Sequence, residues 1–455
     1  MPKPSPRVSL LDVVKLLHDH CTEALCQDVF QATRRRERER KWTLYALARF
    51  WMIVVTQAPV SLTQALQEVS SGLIPFVPMD PSSSEAFFTK CKALHFRFFR
   101  SLFEAFLKRI LPEAPTTYTG DLRPLLSSFT NVWAVDGTKL DNIRHRLKIL
   151  WKEKATVLPG CLTVYYDLFR GIARHILFDP DAASGEQGRA RSLLDQIPKD
   201  TLILGDRLYC NLKFFLDLAA HHLWGLFRLH HQLTVKRQRL LSRRQGGGRG
   251  VLEDWIVLVG SGVGQPPMTL RLIVFSQGSF RRELLTNVLD PAKLSDRHAL
   301  QAYPFRWSIE RFFFDLKEVF RLNTFYAANV NAVAMQVYAA ALVHTAFRIA
   351  QARIARKHRL PPEALSPAKL FPRLAAASFH WTHAETHFDM TQDANPGMAL
   401  KKPSWSTTKW ASIPLEALLV EKRKNNRREI PRRTRRKWKS LAHVPKALSA
   451  FEELS

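Results

Sequence analysis

The hydrophobic pattern changes in type along the chain, and this change constrains the fold more than any other feature. Segments 42–55 and 87–111 carry apolar residues near helical spacing. From Asn131 onward, short β-rich runs alternate with helical stretches at 188–196 and 212–220. The β-rich runs are 132–135, 162–166, 172–178 and 202–204. Strands that look antiparallel, followed by alternating helix and strand, predict a mixed α/β sheet.

The 455 residues exceed what a single hydrophobic core usually supports, about 250–300 residues. We therefore expect several regions. They are a helical region at 1–120, the first part of an α/β core at 121–231, a β-rich insertion at 232–295, the second part of the core at 296–355, and a helical and basic C-terminal region at 356–455. The insertion is assigned from β-rich runs at 255–259, 269–275 and 284–286, which follow a basic segment and a glycine-rich loop.

The net charge of the chain is strongly positive, +28 at pH 7, with a pI near 10.3. Such an excess predicts a positive potential over much of the surface. The expected partner is an acidic polymer, nucleic acid first and an anionic membrane second, and a merely basic soluble protein is the alternative. The basic segment 422–437 favours sequence-independent phosphate binding over a solvated tail.

The sequence predicts neither a secretory signal nor a membrane span. Residues 1–8 hold three prolines and no apolar core. The long apolar segment 331–350 contains Gln336, His344 and Arg348, so we expect a buried helix there. The five cysteines are scattered and match neither a disulfide framework nor a zinc site. These features favour a cytoplasmic protein.

Two aspartates stand at the ends of apolar strands. Asp136 follows the run 132–135 and precedes Gly137, which lets the chain turn and leaves the carboxylate exposed. Asp206 follows the run 202–204 in a similar way. Taken singly, each is more often a turn former or a helix cap than a catalytic acid.

A third acid lies on a predicted helix in which Pro304 occupies the first turn. At about 100° per residue, four polar side chains of this helix fall within roughly 60° of one another. They are Tyr303, Arg306, Glu310 and Lys317. A different face gathers Phe305, Ile309, Phe312, Leu316 and Phe320. One apolar wall and one separate polar row favour a core helix that reaches an active site, although Arg306 and Glu310 alone could be a simple i,i+4 ion pair.

Three carboxylates suit a two-metal site for phosphodiester chemistry. Mg²⁺ prefers oxygen ligands and usually takes one or two carboxylates together with phosphate oxygens and water. Two such ions about 4 Å apart can activate the attacking oxygen and stabilise the leaving one. Arg306 and Lys317 would then bind the phosphates that the metals do not reach. We therefore predict that Asp136, Asp206 and Glu310 hold two Mg²⁺ or Mn²⁺ ions.

With these residues identified, the chain resembles the DDE transposases of bacterial insertion sequences, and within them the insertion-sequence-four family. The mark of that family is a tyrosine, an arginine, a glutamate and a lysine at set spacing. The matching residues here are Tyr303, Arg306, Glu310 and Lys317. Gly137-Thr138 after the first aspartate and Tyr209 after the second also match. The resemblance covers about 131–323.

The resemblance implies a ribonuclease-H-like catalytic core with Asp136 and Asp206 on strands, Glu310 on a helix and a β-rich insertion between them. The other three motif residues would hold the DNA end. It further implies metal-dependent cleavage at transposon ends and strand transfer by cut-and-paste chemistry. The N-terminal helices would recognise inverted repeats, and a homodimer would act on double-stranded DNA. Such a protein would be cytoplasmic and associated with the nucleoid.

Two residues beside the second aspartate depart from the family pattern. Leu208 stands where many members have glycine, and Cys210 where an aromatic residue is usual. These departures leave two alternatives open. One is a non-catalytic DNA-binding protein derived from a transposase, and the other is a metal-dependent nuclease that cuts without joining.

Other polar or aromatic residues have structural interpretations. Asp167 and Asp179 also end strands but match no family pattern, so we expect turn residues. The histidine pairs 221–222 and 230–231 lack the supporting ligands of a zinc site. Trp255 is a candidate for gripping a flipped base by its region alone, and a core position is the favoured interpretation.

Overall fold

The computed structural model describes residues 7–9, 16–17, 19–33, 42–70, 84–116, 120–140, 160–181, 184–245, 250–260, 267–322, 324–327, 329–373 and 412–420. Most of the glycine-rich loop at 246–250 and the basic segment 422–437, to which we assigned phosphate binding, lie outside these residues.

Helices dominate the described residues before the sheet begins. They are α1 (Glu23–Thr33), α2 (Leu44–Gln57), α3 (Leu62–Ser70), α4 (Ser84–Ala93) and α5 (Arg97–Ile110). Helix α2 begins at Thr43, whose hydroxyl accepts a hydrogen bond from the Ala46 amide at 3.1 Å, as an N-cap does. Its apolar sequence is buried on almost every side, so α2 is a core helix.

Later helices lie between and after the strands. They are α6 (Glu186–Arg191), α7 (Leu212–Ala220), α8 (Asp296–Ala302), α9 (Ser308–Phe314) and α10 (Val330–Lys357). Helix α10 packs against α2, α5 and one face of the sheet. Among the described helices, only α10 is by itself long and apolar enough to cross a membrane, and 89% of its most apolar window is buried inside the protein. The pair α2 and α3 passes the same test only when joined across a 119° bend.

The polar residues of α10 are paired inside the protein. Gln336 donates to the Thr324 carbonyl at 2.9 Å, and Arg348 donates to the Gly171 carbonyl at 3.0 Å. His344 is fully buried and lies 3.5 Å from the Asp315 carboxylate. The segment is therefore the buried helix that its interrupted apolar pattern predicts.

The strands form one large mixed sheet and one small pair. They are β1 (Arg7–Ser9), β2 (Asn131–Lys139), β3 (Cys161–Asp167), β4 (Ile172–Asp179), β5 (Thr201–Gly205), β6 (Trp224–Arg228), β7 (Val235–Gln245), β8 (Val251–Val259), β9 (Met268–Gln277), β10 (Phe280–Thr286) and β11 (Ser412–Pro414). The large sheet has the order β4-β3-β2-β5-β6-β10-β9-β8-β7, and β1 pairs with β11. Strands β2, β5 and β6 run parallel, and the other neighbours in the large sheet run antiparallel. The predicted mixed α/β architecture is confirmed.

Strands β7 to β10 continue the same sheet through the pairing of β10 with β6. The sequence pattern indicated β-structure at β8, β9 and β10, but it did not indicate β7, which we interpreted only as a basic segment. That interpretation was incomplete, because β7 is an eleven-residue edge strand. Most of its side chains are exposed, so the strand carries no alternation of apolar and polar residues. The region boundaries proposed from sequence remain predictions.

Candidate active site

The pairing of β2 with β5 brings the first two aspartates together. The strands are parallel, with Asn131 opposite Thr201 and Ala134 opposite Leu204. Asp136 and Asp206 each lie two residues beyond the last of these pairs, so both carboxylates emerge at the same edge of the sheet. The arrangement depends on tertiary pairing between segments that are far apart in sequence.

Asp136 is a largely buried carboxylate within β2. The predicted turn at Gly137 and exposed carboxylate were wrong, because β2 continues through Gly137 to Lys139 in register with β3. The Asp136 Oδ1 accepts a hydrogen bond from the Gly137 amide at 2.9 Å, and its Oδ2 lies 3.6 Å from Nη1 of Arg306. Burial raises the pKa of Asp136 to about 7, and the charges of Glu186 and Asp206 act in the same direction. Because Arg306 lowers this pKa only in part, one guanidinium does not compensate for the desolvation of this carboxylate.

Asp206 caps the short turn that follows β5. Its Oδ1 accepts a hydrogen bond from the Leu208 amide at 2.7 Å and begins the 3₁₀ turn Arg207–Tyr209. The cap uses the Leu208 backbone, and the Leu208 side chain is exposed. Cys210 is buried in the apolar cluster beneath β5. The turn therefore forms with both departures from the family pattern in place.

The third acid lies on a helical segment that changes type twice. The segment comprises a 3₁₀ turn (Tyr303–Trp307), the α-helix α9 and a π-helix (Asp315–Val319). The sequence predicted a helix here, and the structure divides that helix into three types. Arg306 Nη2 donates to Glu310 Oε1 at 3.3 Å, which keeps the central pair of the row together.

The π-helix gives Lys317 different neighbours from those of the rest of the row. Its Nζ donates to the Thr138 hydroxyl at 2.7 Å and to the Lys139 carbonyl at 2.8 Å. Lys317 thus ties the end of the helical segment to the end of β2. The apolar wall is as predicted, because Ile309 and Phe312 are buried in the core.

Arg306 lies at the centre of the site. Burial alone would lower its pKa, but Tyr303 and the charges of Asp136, Glu310 and Asp206 raise the pKa overall. Its side chain is 9% exposed, and its Nε has no hydrogen-bond partner. The Arg306 guanidinium is ion-paired with carboxylates and keeps one buried N–H donor without a partner. An arginine that also binds an anion would have this arrangement.

The structure adds a fourth carboxylate that our sequence interpretation missed. Glu186 lies in the first turn of α6, and its Oε1 accepts a hydrogen bond from the Tyr209 hydroxyl at 2.5 Å. A Cβ atom built on Gly137 would lie 2.3 Å from Glu186 Cδ, so the carboxyl group packs directly against the residue after Asp136. No spacing or periodicity in the sequence singled out Glu186.

Two further arginines, Arg228 and Arg282, lie near Tyr303, with Arg207 close to Arg228, and sequence reasoning missed all three. The register of β5 with β6 ends on Gly205 opposite Phe227, which places Arg228 beside Asp206. Burial lowers the pKa of Arg228, and the charges of Arg207 and Arg306 lower it further. The guanidinium of Arg282 lies 5.9 Å from the centre of the Tyr303 ring.

Arg207, Arg228 and Arg282 form no salt bridge with a carboxylate of the described residues. Arginines that gather without acidic partners are suited to binding an anion.

Within the described part of the chain, no group of three or more His, Cys, Asp or Glu side chains lies close enough to hold a metal ion. The donor set nevertheless has the right chemistry for a divalent cation, since all the converging acidic groups are carboxylates. The incomplete compensation of Asp136 by Arg306 also favours an additional positive charge at this edge of the sheet. That Asp136, Asp206 and Glu310 together hold such an ion stays a prediction.

The remaining polar residues considered from sequence have local roles. Asp167 accepts the Phe169 and Arg170 amides at 3.0 Å, so it shapes the turn after β3. Asp179 accepts the Asp181 amide at 2.9 Å in the same manner. Trp255 is partly buried, and the Arg237 guanidinium lies 4.8 Å from its ring centre.

The two histidine pairs behave differently. His221 pairs with the Asp195 carboxylate at 2.8 Å, and the rings of His230 and His231 stack 4.5 Å apart. Neither pair belongs to a metal-binding group among the described residues.

Comparison with known proteins shows which family this part of the chain resembles. Residues 128–346 match the transposase DDE domain family. The matched range contains Asp136, Asp206 and Glu310 and ends within α10. A transposase DDE domain is ribonuclease-H-like, which agrees with the mixed sheet that carries the two aspartates.

Two relatives are similar to part of the chain. A candidate transposase of Sinorhizobium fredii, named y4zB, is 26% identical over 196 residues, which is 40% of this chain and 54% of that protein. A candidate transposase for the insertion sequence element IS4SA of Synechocystis is 22% identical over 160 residues, 34% of this chain and 43% of that protein. The chain thus spans about half the length of these relatives. These matches support the interpretation that the chain is similar to DDE transposases of the insertion-sequence-four group.

Proposed function

We propose that this protein is a DNA transposase that cuts transposon ends and joins them to new DNA with divalent metal ions. The observation that carries the proposal is the convergence of Asp136 and Asp206 at one edge of the sheet with Arg306 and Glu310 beside them. The family match over 128–346 agrees with this interpretation. We also assign the chain to the subgroup marked by Tyr303, Arg306, Glu310 and Lys317.

In this mechanism Asp136, Asp206 and Glu310 would hold two Mg²⁺ or Mn²⁺ ions. Held there, such ions would supply activation of the attacking oxygen and stabilisation of the leaving oxygen in a phosphodiester displacement. Arg306 and Tyr303 would hold a DNA phosphate, and the arginines around Tyr303 would neutralise neighbouring phosphates. Lys317, fixed against the end of β2, would bind a phosphate on the other side of Glu310.

The substrate is double-stranded DNA in this proposal, and the excess of +28 charges supports sequence-independent contact with its backbone. The helices at the N-terminal end of the chain would recognise the inverted repeats. Two ends must be joined in one reaction, so we propose that a homodimer forms on DNA.

The test is Mg²⁺-dependent cleavage of the DNA that flanks the gene, with Glu310→Gln and Glu318→Gln compared with the wild type. Glu318 lies on the same helical segment but is exposed, so its neutral isostere is a matched control. We expect Glu310→Gln to bind the DNA normally and to lose at least about a hundredfold in cleavage, since removal of even an outer-shell group costs about 10–100-fold.

The outcomes separate the alternatives. Nicks that are never followed by joined products would indicate a nuclease without strand transfer. Tight binding without any cleavage by the wild type under Mg²⁺ or Mn²⁺ would indicate a DNA-binding derivative of a transposase. Equal cleavage by the wild type and Glu310→Gln would contradict the three-carboxylate mechanism.

A further inference from the structure

The position of Glu186 is fixed more firmly than an exposed first turn of a helix requires. One turn later, Arg189 donates from Nε to the Thr163 hydroxyl on β3 at 2.9 Å. The Tyr165 hydroxyl on the same strand donates to the Ala190 carbonyl at 3.0 Å. These bonds fix α6 to the sheet, so the Glu186 carboxylate is held at the end of β2.

The closest contact of Glu186 is with the backbone that carries the first aspartate. Any side chain at Gly137 would overlap the Glu186 carboxyl group, with Oε2 at 2.5 Å from the position of a Cβ atom. Glu186 therefore lies close to Asp136, although it is not part of the family motif.

A second observation points to a ligand beside Asp136, the residue that Glu186 adjoins. Arg306 extends into the group with a side chain that is 9% exposed, and its buried Nε has no hydrogen-bond partner. Its guanidinium faces Asp136 at 3.6 Å and Glu310 at 3.3 Å. Arg306 is thus a buried cation that keeps one N–H donor unused and does not neutralise the carboxylates around it. Such a group is suited to a site that binds metal ions and a phosphate together.

We propose that Glu186 is a fourth metal-binding carboxylate, which holds one divalent ion together with Asp136. The inference rests on the proposed metal-dependent function. The Tyr209 hydroxyl uses Oε1 of Glu186, which leaves Oε2, the oxygen that lies against Gly137, to act as a ligand. Four carboxylates would give each of two ions two carboxylate ligands, within the range that Mg²⁺ usually takes.

A purely structural role for Glu186 predicts a different pattern of effects. If Glu186 only accepted the Tyr209 hydrogen bond, then removing either partner would have the same consequence. If Glu186 is a ligand, removing its charge must weaken metal binding more than removing the Tyr209 hydroxyl does. The comparison of Glu186→Gln with Tyr209→Phe therefore separates the two roles, because both changes preserve side-chain shape closely.

The experiment is a titration of the DNA-free full chain with Mn²⁺, in which free Mn²⁺ is measured by electron paramagnetic resonance. Asp195→Asn serves as the control, because that carboxylate is 86% exposed and lies elsewhere. We expect Glu186→Gln to weaken one class of Mn²⁺ sites by about tenfold or more, and Tyr209→Phe to weaken it by a smaller factor. Circular dichroism melting of each variant verifies that it folds.

Equal Mn²⁺ binding by the wild type and Glu186→Gln would overturn this inference, provided that Asp136→Asn lowers binding. Equal losses in Glu186→Gln and Tyr209→Phe would also overturn it and assign a structural role. A wild-type protein that binds no more Mn²⁺ than Asp136→Asn would instead contradict the proposed metal-dependent function, so the two failures are distinguishable.

Discussion

Replacement of Asp136 by asparagine should stabilise the metal-free protein at alkaline pH while it removes a proposed metal ligand. The Asp136 side chain is 18% exposed, and burial raises its pKa to about 7 from a reference value of 3.8. A carboxyl group whose pKa is higher in the folded state binds protons more tightly there. Ionisation of Asp136 therefore lowers the free energy of unfolding. This loss has its full size above the folded-state pKa and disappears as the pH falls toward 3.8.

The size of the effect follows from the two pKa values. Each pKa unit corresponds to about 1.36 kcal/mol, so the full cost above pH 7 is roughly 4 kcal/mol. At pH 4.5 the same linkage relation leaves a cost of about 1 kcal/mol. The Asp136→Asn variant should thus gain about 3 kcal/mol relative to the wild type between pH 4.5 and 8.5. With an unfolding entropy of about 2.1 cal/mol/K per residue, this gain raises the relative melting temperature by a few degrees.

The assay is thermal unfolding followed by circular dichroism in EDTA at both pH values, with Asp19→Asn as the control because that side chain is exposed. The melting temperature of Asp136→Asn minus that of the wild type should increase with pH, and the control difference should stay constant. Addition of Mg²⁺ at pH 8.5 should stabilise the wild type and the control but not Asp136→Asn. A difference that is independent of pH would refute the assignment of Asp136 as a desolvated, under-compensated carboxylate.

Three further changes test separate parts of the structure. Gly137→Ala should displace the Glu186 carboxyl group, the flexible end of its side chain, and lower the free energy of unfolding by no more than about 1 kcal/mol in chemical denaturation; a larger loss would show that this carboxyl group cannot move. Arg271→Met should lower the free energy of unfolding by about 3–5 kcal/mol, because Asp254 would stay buried without the guanidinium that now lies 2.6 Å away. Unchanged stability in the same assay would argue against a buried ion pair. Arg282→Gln should weaken binding to any DNA duplex, measured by fluorescence anisotropy, and should lower the slope of log affinity against log salt concentration by about 1. A loss of affinity confined to one DNA sequence would exclude a phosphate contact.

Local sequence was sufficient for the features that repeat with the period of an element. The apolar runs before Asp136 and Asp206 predicted strands, and the spacing from Tyr303 to Lys317 predicted a helical segment with one apolar wall. These predictions depend on which side chains must be buried, and burial leaves a periodic pattern in the chain. For the same reason β7 escaped prediction, because an exposed edge strand has no buried face to mark it.

Only the tertiary structure decided which groups meet at the site. Asp136 and Asp206 emerge together because β2 and β5 pair in parallel register, and Arg228 joins them through β6. Glu186 reaches Gly137 because α6 is fixed on the sheet. Lys317, in the π-helical turn, reaches Thr138 near the end of β2. Such contacts join residues far apart in the chain, and no local period records them, because their cause is the packing of one element against another.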